Sequence, residues 1–344
     1  MTDHIYWKDD ALFLLDQREL PFKKLYVRCN TLKDVRDAIK NMIIRGAPLI
    51  GIVAAYGFVI GIKEILNDRG YLRERDIKSI SRTLLNTRPT AANLLWALKR
   101  METAYNKYKC KERRDLETLM LDEAVAIHVE DIENNRMISL FGAELIKDGD
   151  NILTHCNAGS LAMGGYGTAL GVIKAAHESG KKIKVFATET RPYFQGARLT
   201  AWELYMEGID VEVIPDNHVG ILCYKGLIDK VIVGADRIAL NGDTANKVGT
   251  FMIALCAKAH SIPFYVAAPT STFDPEIESG ALIPIEERGG EEVKKIKNIP
   301  ITLKQVRARY YSFDVTSHRY ISLFITEKGI IKRPFKKYIE KLFL

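Results

Sequence analysis

Read for its alternation of apolar and polar positions, the chain changes rhythm near residue 148. Two short apolar runs at 11–15 and 24–29, separated by polar residues and Pro21, predict a hairpin or small sheet. Thr31-Leu32-Lys33-Asp34 then has the form of a capped helix start. The stretches 90–108 and 116–146 carry apolar residues at three-to-four spacing, the mark of amphipathic helices. Between them, 47–62 is almost wholly uncharged but contains Pro48 and three glycines. It is shorter than the ~20 residues of a membrane span, so it predicts a buried core helix.

Beyond Asp148-Gly149-Asp150 the helical pattern gives way to short β-branched runs ending in small or polar residues. Strands are predicted at 152–155, 183–187, 211–214, 230–233, 264–267 and 321–325, with helices at 166–179, 195–206 and 246–260. That alternation belongs to a parallel sheet covered by helices on both faces. The expected architecture is therefore α/β. A mainly helical N-terminal domain with a small β element, 1–147, precedes a Rossmann-like parallel-sheet C-terminal domain, 148–344. Ligands of such sheets bind outside the carboxyl ends of the strands. Those ends carry Cys156-Asn157-Ala158-Gly159, Thr188-Glu189-Thr190-Arg191-Pro192, Asp216-Asn217 and Gly234-Ala235-Asp236-Arg237.

Composition narrows the function classes. With 344 residues, 47% hydrophobic and 27% charged, the chain has an ordinary globular balance that excludes disorder. The net charge of +7 arises from 50 basic residues interleaved with 43 acidic ones. This favours a solvated surface over a nucleic-acid stripe, although Lys332-Arg333-Pro334-Phe335-Lys336-Lys337 forms one dense basic segment. Five widely spaced cysteines without a C-x-x-C pair indicate a reducing compartment. No apolar h-region follows the N-terminus, so the expectation is a cytoplasmic protein without membrane or nucleic-acid partners.

The candidate chemistry starts at Cys156, which follows a predicted strand and precedes the glycine-rich run from Gly159 to Gly167. A helix N-terminus beside a bed of backbone N–H groups favours the thiolate, hence a base or nucleophile; the alternative is a small buried hydrophobe. His155 and Cys156 point to opposite faces of a strand and make poor co-ligands, and no metal is expected. The run departs from a dinucleotide fingerprint, with Leu170 where the third Gly or Ala belongs. A nicotinamide or flavin cofactor is therefore not expected, and the loop is left as a cradle for a phosphate or carbonyl oxygen. Asp236 ends an apolar strand and is a general-acid candidate; alternatively it pairs with Arg237 or caps a helix. Arg45 and Arg88 stand at predicted helix starts, as phosphate clamps or as bridges between domains, with Asn246-Lys247 at a third.

At these positions the chain resembles the methylthioribose-1-phosphate isomerases of methionine salvage, in the family that also includes regulatory subunits of the exchange factor for translation initiation. The resemblance is carried by Arg45-Gly46-Ala47-Pro48, Arg88-Pro89-Thr90-Ala91 and the long Thr190-Arg191-Pro192-Tyr193-Phe194-Gln195-Gly196-Ala197-Arg198-Leu199-Thr200-Ala201-Trp202-Glu203-Leu204. It continues in Gly234-Ala235-Asp236-Arg237-Ile238, Asn246-Lys247-Val248-Gly249-Thr250 and Phe313-Asp314-Val315-Thr316. It implies an aldose–ketose isomerase with Cys156 as proton-transferring base and Asp236 as acid. Arg45, Gly46, Ala47, Arg88, Gln195, Asn246 and Lys247 would hold the phosphate and sugar hydroxyls. The resemblance further implies a homodimer joined through the second domain. The chain departs from the isomerase pattern at Asp216-Asn217-His218-Val219-Gly220 and at Glu287-Arg288-Gly289-Gly290. A ribose-1,5-bisphosphate isomerase and a non-catalytic regulatory subunit stand as the alternatives.

Overall fold

The computed structural model describes residues 3–88, 92–297 and 299–343, and the chain forms two compact units. The first comprises residues 1–133 together with 160–166, and the second comprises 134–159 and 167–344.

The first unit begins with an antiparallel sheet of β1 (Ile5–Lys8), β2 (Ala11–Leu15) and β3 (Tyr26–Cys29). The hairpin expected from sequence is present, preceded by one more strand. Thr31 caps α1 (Leu32–Lys40) by accepting from the Asp34 N–H, while the Asp34 carboxylate accepts from the Thr31 N–H. Helix α2 (Ala47–Arg69) is apolar all round, and 48–62 is buried throughout. It is long and apolar enough to cross a membrane, yet α1, α3 (Glu74–Leu85) and α4 (Ala92–Tyr108) pack against it. Its three glycines explain the close packing. A Cβ at Gly51 would meet the Asn93 carbonyl at 2.7 Å, and one at Gly57 would meet Val35 at 2.6 Å. Each interior glycine costs ~1 kcal/mol in helix propensity. Burying a side chain such as Phe58 or Ile62 contributes ~1.5–3 kcal/mol, so packing decides. Helix α5 (Arg113–Ala143) follows, with its residues 134–143 counted in the second unit.

The second unit is built on seven strands. In chain order these are β4 (Asn151–Thr154), β5 (Lys184–Thr188), β6 (Asp210–Ile214), β7 (Lys230–Val233), β10 (Phe264–Ala267), β17 (Leu323–Thr326) and β18 (Gly329–Ile331). Their spatial order is β6-β5-β4-β7-β10-β17-β18; all pairings are parallel except β17 with β18. Helices α6 (Ala169–Glu178), α7 (Ala201–Met206), α8 (Val219–Tyr224) and α9 (Thr250–Ala259) intervene. All six predicted strands are present within two residues of their expected limits. A second sheet, in the order β11-β8-β9-β16, uses β8 (Arg237–Ala239), β9 (Thr244–Lys247), β11 (Phe273–Asp274) and β16 (Phe313–Thr316). Two short pairs complete the strands: β12 (Glu287–Arg288) with β15 (Tyr310–Tyr311), and β13 (Lys295–Ile296) with β14 (Ile299–Pro300).

Three expectations need correction. The helix expected over 246–260 begins only at Thr250, because Thr244–Lys247 pairs with Arg237–Ala239 on one edge and with Phe313–Thr316 on the other and becomes a strand. Asn246 and Lys247 therefore sit on a strand end. The helix expected from 166 starts at Ala169, and Cys156 is followed by a short 3-10 turn, Ser160–Ala162, rather than by a helix N-terminus. Within the glycine-rich loop the Gly164 N–H is not open, since it donates to Asp131 at 2.6 Å.

Candidate active site

The strand order reverses at β4. The path steps outward through β5 and β6, then returns to place β7 on the opposite side of β4. In open parallel sheets a ligand crevice forms at such a reversal, outside the carboxyl ends of the strands. Cys156 follows β4 and Asp236 follows β7, so the two leave adjacent parallel strands at the same sheet end. Both are half-buried.

The Cys156 backbone is held in the left-handed region, with φ 61°. Such a conformation is strained for a non-glycine residue and persists where its surroundings enforce it. Here the Cys156 N–H donates to Thr190 Oγ1 at 3.0 Å, and Thr200 Oγ1 donates to the Cys156 carbonyl at 2.5 Å. Next in the chain, Asn157 Nδ2 donates to Thr200 Oγ1 and to Glu203 Oε1 at 2.8 Å. The long segment from Thr190 to Leu204 is thus the frame of the cysteine loop. Its helical part opens with a π turn, Gly196–Thr200, before α7. Gly196 lies so close to β5 that a Cβ would fall 1.7 Å from the Thr188 carbonyl oxygen. Thr190 is also left-handed, with φ 63°. Its N–H and that of Arg191 donate to the Asp216 carboxylate, both at 2.7 Å. Asp216, which opens the segment whose His218-Val219 departs from the isomerase pattern, is therefore part of the frame.

His155 is fully buried between two elements. Its Nε2 lies 2.9 Å from the Val248 carbonyl and its Nδ1 2.6 Å from Thr188 Oγ1. A carbonyl only accepts, so Nε2 carries the proton and Nδ1 accepts from the threonine hydroxyl. Burial pulls the imidazole pKa down, opposed by the Asp216 carboxylate, and the ring is neutral.

The Lys247 turn is pinned from its own sheet as well. Asp314 accepts from the Gly249 N–H at 2.7 Å and from the Phe251 N–H, and the Val248 N–H donates to the Ser312 carbonyl. Burial pushes the Asp314 carboxyl up to about 6, against these N–H bonds and the Lys247 charge. Asn246 is buried and donates to Thr250 Oγ1; the Lys247 ammonium lies 4.8 Å from the Phe313 ring centre. Gln195 is buried, and its Oε1 atom has no hydrogen-bond partner among the described residues, which leaves an acceptor for a donor such as a hydroxyl. Arg237 pairs with Asp274 at 3.3 Å, and the Asp236 N–H donates to the Ala245 carbonyl at 2.9 Å. The Tyr310 hydroxyl is pushed up to about 12, chiefly by burial, then by Glu292, with a smaller contribution from Cys156. It is therefore a neutral group near the thiol.

In the first unit, Gly46 precedes α2 with φ 107°, and a Cβ there would strike the Ala162 backbone at 2.5 Å. Arg45 is buried, Ala47 opens α2, and Arg88 follows α3. Pro89, Thr90 and Ala91 of the expected motif lie outside the described residues. Cys156, Gln195, Asp236, Asn246 and Lys247 all belong to the second unit. Thr190, Thr200, His155 and Asp314 had no assigned role in the sequence. Their signal was position only, inside or beside the motifs that carry the resemblance.

Residues 43–333 match the model of the Initiation factor 2 subunit family. The methylthioribose-1-phosphate isomerase of Thermotoga petrophila is 55% identical over 99% of this chain and 98% of its own. Among solved structures, 5-methylthioribose 1-phosphate isomerase from Pyrococcus horikoshii is 39% identical with a TM-score of 0.91, covering 100% of this chain and 96% of that one. A chain described as translation initiation factor eIF-2B, subunit delta, from A. fulgidus is 41% identical with a TM-score of 0.87, covering 99% of each.

Proposed function

The chain belongs to the Initiation factor 2 subunit family, and we infer that it catalyses the aldose–ketose isomerisation of 5-methylthioribose 1-phosphate to 5-methylthioribulose 1-phosphate, a step of methionine salvage. The observation that carries the reading is the placing of a thiol and a carboxyl, Cys156 and Asp236, at the ends of adjacent parallel strands where the strand order reverses. A purely regulatory subunit needs neither group, so turnover separates that reading from this one.

The parallel strands β6-β5-β4-β7-β10-β17 have the 3-2-1-4-5-6 order of a Rossmann-like domain, which we take as the catalytic domain, 148–344. The substrate's phosphate sits on the anomeric oxygen, so its ring does not open spontaneously to a free aldehyde. Asp236 protonates the ring oxygen as the C1–O bond breaks, and the Cys156 thiolate removes the C2 proton. The C–H electrons form the C1–C2 double bond of an enol. The Cys156 thiol then returns a proton to C1 while the Asp236 carboxylate takes the C2 hydroxyl proton, leaving the ketose. Lys247, Asn246 and Gln195 are proposed to hold the phosphate and hydroxyls. By the same resemblance Arg45, Gly46, Ala47 and Arg88 are proposed as further ligands. The buried Gln195 Oε1 acceptor supports this for its own position.

The second unit exposes Tyr205, Met206, Tyr224 and Met252, with Tyr205 and Tyr224 at 75% and 77% exposure. Apolar surface of this kind supports a homodimer. The cytoplasm is the proposed compartment, in keeping with five free cysteines. The test is a panel of 1-phosphorylated pentoses carrying methylthio, hydroxyl or phosphate at C5. Turnover of the methylthio sugar in preference to the other two is expected. Preference for the 1,5-bisphosphate would replace the substrate, and no turnover of any member would overturn the enzymatic reading.

A further inference from the structure

The base and the cation of the proposed site stand on different sheets of the second unit: Cys156 at the end of β4 in the seven-stranded sheet, Lys247 at the end of β9 in the four-stranded one. Their separation depends on what ties the two strand ends together. Asp314 and Ser312, which hold the Val248–Gly249 turn, lie on β16 or immediately before it, on the side of the four-stranded sheet. The bond from His155 to the Val248 carbonyl comes instead from the residue preceding Cys156. The other ring nitrogen is fixed by Thr188, the last residue of β5, so the imidazole cannot turn away without breaking a second buried bond. Gly249 allows this approach. A Cβ there would lie 3.1 Å from the imidazole, and its φ of 106° suits glycine.

We propose that His155 is a positioning residue, a neutral cross-brace that sets Lys247 relative to Cys156; this rests on the reading of Lys247 as a phosphate ligand. The ring takes no proton from substrate in this role, because both nitrogens are committed within the protein.

The experiment compares wild type, His155→Leu, His155→Gln and Thr188→Val by circular dichroism, by kcat and KM for 5-methylthioribose 1-phosphate, and by calorimetric Kd for inorganic phosphate. Leu keeps bulk but breaks the brace. Gln retains an amide N–H able to reach the Val248 carbonyl. His155→Leu is expected to raise KM and phosphate Kd about tenfold and to lower kcat about tenfold or more, the scale of a misplacement approaching 1 Å. His155→Gln should recover to within about threefold of wild type. Thr188→Val, which removes the hydroxyl fixing Nδ1 together with its 3.3 Å contact to Thr190 Oγ1, should raise phosphate Kd by about threefold and decides the matter if the Leu variant does not fold. An unchanged phosphate Kd in folded His155→Leu, or in Thr188→Val where Leu fails, would overturn the brace. So would a Gln variant as impaired as Leu. If wild type binds phosphate but does not turn over the sugar, the functional reading fails while the phosphate measurements still judge the brace.

Discussion

Gly196→Ala tests the frame of the cysteine loop with a single methyl group. The added Cβ would start 1.7 Å from the Thr188 carbonyl oxygen, and real Cβ atoms do not approach closer than 3.0 Å, so the π turn has to withdraw by about 1.3 Å. The obstacle is backbone of a central strand, which has little room to give. Four residues on in the same turn, Thr200 holds the Cys156 carbonyl and receives the Asn157 amide, so the withdrawal is passed to the residue proposed as base. Overpacking of this kind costs ~1–3 kcal/mol. A ~1 Å displacement of a reacting group costs ~10²-fold in rate. The expected result is a melting temperature lowered by a few degrees and kcat lowered by about 10²-fold. Gly220→Ala is the control: it lies in α8 with only Cys256 Sγ near, at 4.0 Å, and should be neutral or slightly stabilising. Calorimetry and steady-state kinetics on both variants are sufficient. Wild-type kcat in folded Gly196→Ala would refute the view that this segment positions Cys156.

Further predictions concern pH, isotope and assembly. Burial alone would raise the Asp243 carboxyl, but the His318 and Gly280 N–H groups and the Asn241 amide outweigh it and hold the pKa down to about 2. A depressed carboxyl pKa gives stability that is present above the ordinary value of 3.8 and lost as pH falls toward 2. Asp243→Asn should therefore melt lower than wild type at pH 7, with the gap closing across that window; a gap independent of pH would count against the assignment. With deuterium at C2 of the substrate, the proton-transfer route expects loss of label to solvent in at least part of the product. Complete retention under all conditions favours a hydride shift from C2 to C1. Light scattering at micromolar concentration should give twice the 38.9 kDa chain mass, and a monomer mass would remove the dimer.

The parallel strands were legible because strands covered on both faces read as short unbroken apolar runs, as in Lys230–Val233 with Val231, Ile232 and Val233. Helix α1 was legible because its cap is local, Thr31 with Asp34. The strand β9 is only partly local: Asn241-Gly242 turns Thr244–Lys247 back against Arg237–Ala239, while its other edge pairs with Phe313–Thr316, some seventy residues away. The site divides in the same way. Cys156 and Asp236 stand out as reactive side chains at strand ends. Thr190, Thr200, Asp216 and Asp314 act by bonding to backbone groups of distant segments, which no spacing rule reveals. In the sequence His155 offers only the prospect of a metal ligand beside Cys156. Its partners, Thr188 and Val248, become apparent only once the two sheets are in place.

The central claim is that Cys156 and Asp236 act as complementary base and acid. Its most direct measurement is kcat for 5-methylthioribose 1-phosphate in Cys156→Ser and Asp236→Asn, with folding checked by circular dichroism and product affinity by calorimetry. Serine keeps nearly the size of cysteine but has a far higher pKa, and asparagine keeps the shape of aspartate without its acidic proton. Each variant is expected to lose at least ~10²-fold in kcat, the usual contribution of a positioned acid or base, while its affinity for the phosphorylated product changes little. Near wild-type turnover in either folded variant would contradict the role of that residue.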